Sequence, residues 1–148
     1  MGKEAIINRI VKRIKKIKIQ GARNIALAAL HAYSIKRDRE TKNQLIRARP
    51  TEPMLVNTLK YYENHGKKKT LQHFQEAQEK INLLVLKLIK NNSIIFTHCH
   101  STNVVNALIY TKRKGKKFQV YNTETRPLFQ GKKTSIELKR AGIKVTMF

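Results

Sequence analysis

The sequence changes character at Ser93, and that change constrains the fold more than any other feature. Ile94-Ile95-Phe96 is a short continuous apolar run, the pattern of a parallel strand covered on both faces. Residues 103–114 have helical spacing, with Val104, Val105, Leu108 and Ile109 on the inward side and Gly115 closing the helix. Residues 118–122 read as a second strand, residues 134–141 as a second helix and residues 143–148 as a third strand, with Gly142 at the helix C-terminus. Such β-α-β-α-β alternation is one mononucleotide-type half of a doubly wound α/β fold. Three parallel strands leave an open edge, so the expectation is a sheet that a second copy, another chain or further strands complete.

Upstream of Ser93 the pattern is helical. Residues 4–18 set Ile6, Ile7, Ile10, Val11, Ile14 and Ile17 along one face and lysines and arginines over much of the rest. A basic amphipathic helix can bind a membrane surface or nucleic acid, although packing of the apolar stripe on a neighbouring helix is the commoner outcome. After Gln20-Gly21, the Ala-rich residues 22–33 form a second helix, and the polar residues 35–49 are partly helical. Arg49-Pro50-Thr51-Glu52-Pro53 is a stop followed by a restart, because Pro50 disfavours helix in Arg49 and Thr51 can cap a helix with Pro53 in its first turn. The restarted helix is expected to reach about residue 64, with a loop at 65–69. Thr70 then caps a long helix carrying Leu71, Phe74, Ala77, Ile81, Leu84 and Leu88 on one side, and Asn91-Asn92 ends it. The expected class is α/β: an N-terminal helical domain, residues 1–92, followed by the first half of a Rossmann-like parallel sheet, residues 93–148.

No stretch approaches the roughly 18 apolar residues of a membrane span, and no apolar core follows the basic N-terminus. One cysteine excludes an internal disulfide framework and fits a reducing compartment, so a cytoplasmic protein is expected. The 32 basic side chains against 9 acidic give a formal net charge of +23. Residues 1–92 carry 21 basic and 7 acidic groups, residues 93–148 carry 11 and 2, so the charge is no tail. It attracts RNA or an acidic partner, or it is a solvated surface in a lysine-rich proteome.

Ligands of open α/β sheets bind beyond the carboxyl ends of the strands. Two loops lie there: Thr97–Ser101 after the first strand and Thr123–Gly131 after the second. Cys99 has a helix start close behind it, which stabilises a thiolate, and His98 and His100 flank it. The alternative is a small structural cysteine. Three consecutive His-Cys-His residues do not match the spacing of zinc motifs, so no metal is expected. Arg126, before Pro127, offers a guanidinium, and the Gln130-Gly131-Lys132-Lys133-Thr134 loop offers the donors of a helix start; the pair suits a phosphate. Gly21-Ala22-Arg23, at a helix start, and Arg49 serve the same purpose if the helical domain folds over the sheet, and are otherwise turns. There is no Walker loop and no GxGxxG, hence no expected cofactor.

Taken together, Thr97-His98-Cys99-His100-Ser101 and Thr123-Glu124-Thr125-Arg126-Pro127-x-x-Gln130-Gly131-x-x-Thr134-x-x-Glu137-Leu138, then Ala141-Gly142-Ile143, carry a resemblance. With Gly21-Ala22-Arg23-x-Ile25-Ala26 and Arg49-Pro50-Thr51 followed by Asn57-x-Leu59, they resemble the family of ribose-1,5-bisphosphate isomerase, methylthioribose-1-phosphate isomerase and the regulatory alpha, beta and delta subunits of translation initiation factor 2B. The loop sequences are most similar to the archaeal isomerase branch.

The resemblance implies that Cys99 is the acid/base group converting ribose 1,5-bisphosphate to ribulose 1,5-bisphosphate. It implies that Gly21, Ala22, Arg49 and Arg126 line the sugar-phosphate site, that a helical domain packs over a Rossmann-like one, and that subunits form dimers and hexamers. Gln20 stands where the family usually has arginine, and the helical domain is shortened between Asn64 and Thr70. Family members continue past the third strand and there supply the aspartate that works with the cysteine. Two readings follow: the N-terminal half of such an isomerase, needing a second chain for activity, or a non-catalytic binding subunit of the initiation-factor-2B type.

Overall fold

The computed structural model describes residues 2–148 and forms two compact units, one up to His73 and one from Phe74 on. Their elements are α1 (Lys3–Lys15), α2 (Ala22–Ile35), α3 (Arg39–Ala48), α4 (Pro53–Leu88), β1 (Ser93–His98), α5 (Thr102–Arg113), β2 (Phe118–Thr123), α6 (Gln130–Arg140) and β3 (Lys144–Met147). The expected class is found: helices first, then a three-stranded parallel sheet in the order β1-β2-β3. No helix among the described residues is long and apolar enough to cross a membrane.

The first unit is built on the isoleucine stripe of α1, whose Ile7 and Ile14 are buried with Ile25, Ala29, Leu45, Leu55 and Leu59. The stripe is therefore a packing face. The helix stops three residues before its expected end. Ile17 takes φ 55, its N–H donates to the Ile14 carbonyl and that of Lys18 donates to Arg13, closing a Schellman turn with isoleucine in the place glycine usually holds. Between α2 and α3, Asp38 accepts from the Thr41 N–H at 2.8 Å and starts α3 at Arg39, so the partly helical 35–49 stretch is a capped helix. One carboxylate here is held from two sides: Glu63 accepts from Lys42 and from the Tyr33 hydroxyl. Lys42 holds the Glu63 carboxyl below its ordinary range, and burial beside Glu63 pushes the Tyr33 phenol up to about 12.

The expected loop at 65–69 does not form, and Thr70 is not a cap. Only Gly66 leaves helical geometry (φ 77, ψ 172), and the Thr70 hydroxyl donates back to the Gly66 carbonyl at 2.7 Å inside the following turn. Lysine is a good helix former, so Lys67-Lys68-Lys69 continues the helix and the single glycine bends it. The bend is sharp: the His73 ring stacks 4.7 Å from that of Tyr61, where a straight helix would separate them by about 18 Å. Of the stripe expected beyond it, Phe74 is buried but Leu84 and Leu88 are exposed.

In the second unit, β2 pairs in parallel with β1 and β3, with Ile95 opposite Val120 and Val120 opposite Val145. These residues share one face, against which Val105 and Leu108 of α5, Leu138 of α6 and Ile89 pack. Both crossover helices thus cover the same face, as right-handed connections in this strand order require. The other face is bare, contrary to the expectation of a strand covered on both sides. Ile94 and Phe96 are 66% and 68% exposed, and the Tyr121 and Phe148 rings stack beside them. Val104 likewise points outward, since the buried stripe of α5 runs through Val105, Leu108 and Thr111.

Candidate functional site

The carboxyl edge of the sheet is organised by Cys99. It follows the last residue of β1 and adopts a left-handed backbone, φ 63, that non-glycine residues rarely take. The turn lets α5 start at Thr102 and leaves the half-buried thiol facing the loop after β2. The Thr125 hydroxyl donates to the Cys99 sulfur at 3.4 Å, and the Thr134 hydroxyl of α6 donates to the Cys99 carbonyl at 2.8 Å. Since Thr134 has spent its only proton there, the His100 ring nitrogen Nδ1, 2.9 Å from the same oxygen, is the donor to it. Burial, reinforced by Lys133, pushes the His100 pKa down, with Glu137 opposing, which favours the neutral ring. His98, exposed, pairs its Nδ1 with the Thr123 hydroxyl at 2.6 Å across β1 and β2.

The start of α6 differs from expectation. Residues 130–134 are helical, not a loop, and the helix begins at Gln130. The reason is Glu124, whose carboxylate accepts from the N–H groups of Thr125, Gly131 and Lys132 at 2.7, 2.9 and 3.4 Å and so satisfies the first turn. The buried Asn122 amide adds bonds to the Gly131 carbonyl and the Ser135 hydroxyl. Gly131 itself is required, because a Cβ there would fall on the Thr123 carbonyl and within 2.8 Å of the Glu124 Cα. Two of the donors that the sequence offers to a phosphate are thus bound to Glu124.

Sequence reasoning missed Glu124 and Thr125. No short-range cap pattern reaches across six residues, and the Thr123-Glu124-Thr125-Arg126-Pro127 motif contained both residues without giving either a role. The structure brings Cys99, His98, His100, Thr125 and Thr134 to one edge of the second unit, with half-buried Gln130 opening α6 and exposed Arg126 in the connecting loop. Within the first unit, Gly21 (φ 84) precedes α2, exposed Ala22 and half-buried Arg23 form its first turn, and half-buried Arg49 ends α3. Among the described residues no group of three or more His, Cys, Asp or Glu could hold a metal ion.

Comparison with known proteins agrees with this architecture. The model of the Initiation factor 2 subunit family matches residues 5–148. The ribose 1,5-bisphosphate isomerase of Methanocaldococcus jannaschii is 32% identical over 99% of this chain and 56% of its own length. The chain spans about half the length of the curated relatives it matches. Among solved structures, the Pyrococcus horikoshii OT3 translation initiation factor eIF-2B superposes with a TM-score of 0.85 at 22% identity, covering 96% of this chain and 58% of that one. A tetrameric eIF2B-beta2-delta2 complex from C. thermophilum gives 0.67 at 15% identity, covering 95% and 58%. Likeness at those identities is one of fold. The family match covers nearly the whole sequence, and the chain belongs to the initiation factor 2 subunit family.

Proposed function

We propose that the chain is the N-terminal part of a sugar-phosphate isomerase of the ribose 1,5-bisphosphate isomerase kind, active in the cytoplasm once a further polypeptide completes its sheet. The observation that supports this best is the left-handed Cys99 at the end of β1, its sulfur bonded by Thr125 and its carbonyl by Thr134. Aldose–ketose isomerisation moves a hydrogen from C2 to C1, and so needs a group that takes up a proton and gives one back. Cys99 is that acid/base group. Arg49 and Arg126 hold the phosphates, with Gly21, Ala22 and Arg23 at a helix start and His98 and Gln130 beside the sugar. The bare apolar face around Ile94 and Phe96 supports covering by another polypeptide, within a homo- or hetero-oligomer.

Co-expression with a polypeptide supplying the later part of the relatives' length, followed by assay of ribulose 1,5-bisphosphate formation, tests the proposal. Activity is expected, and Cys99→Ser is expected to lower it by about 100-fold or more. A stable complex without activity contradicts it.

One observation favours a second reading, a non-catalytic subunit of the initiation-factor-2B type. Both carboxylates after Ser93 are engaged, Glu124 on the α6 start and Glu137 at 3.8 Å from Lys133. Under this reading Cys99→Ser leaves every binding function of the complex unchanged.

A further inference from the structure

In a parallel β-α-β-α-β unit all helix C-termini and strand starts fall on one edge, opposite the edge that carries Cys99. Here that edge is lined by three connections. The first, from α4 to β1, brings Lys87 and Lys90; the second, from α5 to β2, reads Lys112-Arg113-Lys114-Gly115-Lys116-Lys117; the third, from α6 to β3, brings Lys139, Arg140 and Lys144. Register sets them side by side, with Ser93 opposite Phe118 and Gln119 opposite Lys144, and neighbouring strands are about 4.8 Å apart. The Asn92 N–H donates to the Lys117 carbonyl at 2.7 Å, and the Lys117 N–H donates to Asn91 at 2.9 Å, tying the first two connections together.

With the last helical turns that lead into them, the three connections hold ten cations and a single carboxylate, Glu137, which pairs back along α6 with Lys133. Among the described residues no salt bridge reaches any of the ten cations, whereas the first unit pairs Lys36 and Lys42 with Glu4, Asp38 and Glu63. Attraction to helix C-termini accounts for Lys87, Lys112, Arg113, Lys139 and Arg140, which sit in last turns. It does not account for Lys90, Lys114, Lys116, Lys117 and Lys144, which lie beyond the helix ends. So dense a set of like charges repels itself unless a polyanion faces it.

We propose that this edge binds the phosphate backbone of a nucleic acid, independently of base sequence. Lysine is depleted from protein–protein interfaces, and the aromatic ring nearest the second connection, Tyr110 in the last turn of α5, lies under the Lys114 ammonium at 5.5 Å, which argues against a protein partner. With that ring engaged by Lys114 and no aromatic residue in the connections themselves, the edge favours backbone contact without base readout. The inference does not depend on the isomerase reading.

Fluorescence anisotropy with labelled single-stranded RNA, duplex RNA and duplex DNA tests it. Affinity is expected to fall at least about 100-fold between about 50 and about 200 mM salt. The triple change Lys114→Glu, Lys116→Glu and Lys117→Glu should weaken binding about tenfold or more and flatten that salt dependence. Lys67→Glu, Lys68→Glu and Lys69→Glu impose the same change of charge on the first unit and should cost less than about threefold. Lysine acetylation of the unmodified protein, read by mass spectrometry, should show RNA protecting the rim lysines whatever the folding of the variants. Equal losses in the two triple variants, protection elsewhere than the rim, or displacement of RNA by polyglutamate at equal charge would each overturn the proposal.

Discussion

Ile17 and Cys99 share a left-handed backbone, at φ 55 and φ 63, and the reasons for it differ. Ile17 closes α1 through two backbone hydrogen bonds that a glycine would make equally well, so its side chain contributes nothing to the turn. At Cys99 the side chain is what the turn presents, and the neighbours that hold it, Thr125 on the sulfur and Thr134 on the carbonyl, come from two later segments of the chain. Where backbone bonds explain the conformation it is incidental, and where converging side chains hold it the conformation points to chemistry.

The largest blow to that contrast should come from Gly131→Ala. The new Cβ meets Thr123 and Glu124 backbone, α6 must shift, and Thr134 leaves the Cys99 carbonyl. A loss of about 3 kcal/mol from the second unit is expected, read by hydrogen exchange at β2 amides, with the first unit unaffected. Glycine at each of the two left-handed positions separates the two cases. Ile17→Gly should stabilise the first unit by about 1 kcal/mol in denaturant unfolding. Cys99→Gly should bring a smaller gain in the second unit while abolishing the proposed isomerase activity of the complemented protein. A loss of stability at Ile17→Gly would show that its side chain matters after all.

The smallest effect concerns acid. Burial lowers the folded pKa of His100 below the ordinary 6.5, so the unfolded chain binds the proton more readily. Stability of the second unit is then complete above about pH 6.5 and declines as the pH falls below it. Glu63, lowered from 4.5 chiefly by Lys42, keeps its contribution to the first unit until the pH drops below that value. Hydrogen exchange at pH 7 and pH 5 should therefore show the second unit loosening first, and His100→Gln should remove the pH effect.

Most of the secondary structure was legible because the apolar spacing is strong and the stops are written in proline, glycine and asparagine. Arg49-Pro50, Gly115 and Gly142 mark real boundaries. What was not legible depends on groups distant in sequence. The α6 start moved forward by a turn because Glu124 and Asn122 serve it from the end of β2. The bare face of β1 was hidden because Ile94 and Phe96 are as apolar as the buried Ile95, and composition does not say which side of a strand is covered. At the site, sequence order was enough to bring Cys99 and the β2 loop to one edge. Thr125 and Thr134, the residues that hold Cys99, became visible only through contacts across 26 and 35 residues.

The central claim is that Cys99 faces a sugar-phosphate site, and the sole cysteine makes it directly measurable. Alkylation by iodoacetamide, followed by intact mass, reports on Cys99 alone. Ribose 1,5-bisphosphate should slow the reaction severalfold and ribose 5-phosphate less, since it lacks one phosphate, and Arg126→Ala should weaken the protection. An alkylation rate that the bisphosphate leaves unchanged, in the chain alone and in its completed complex, would contradict the account.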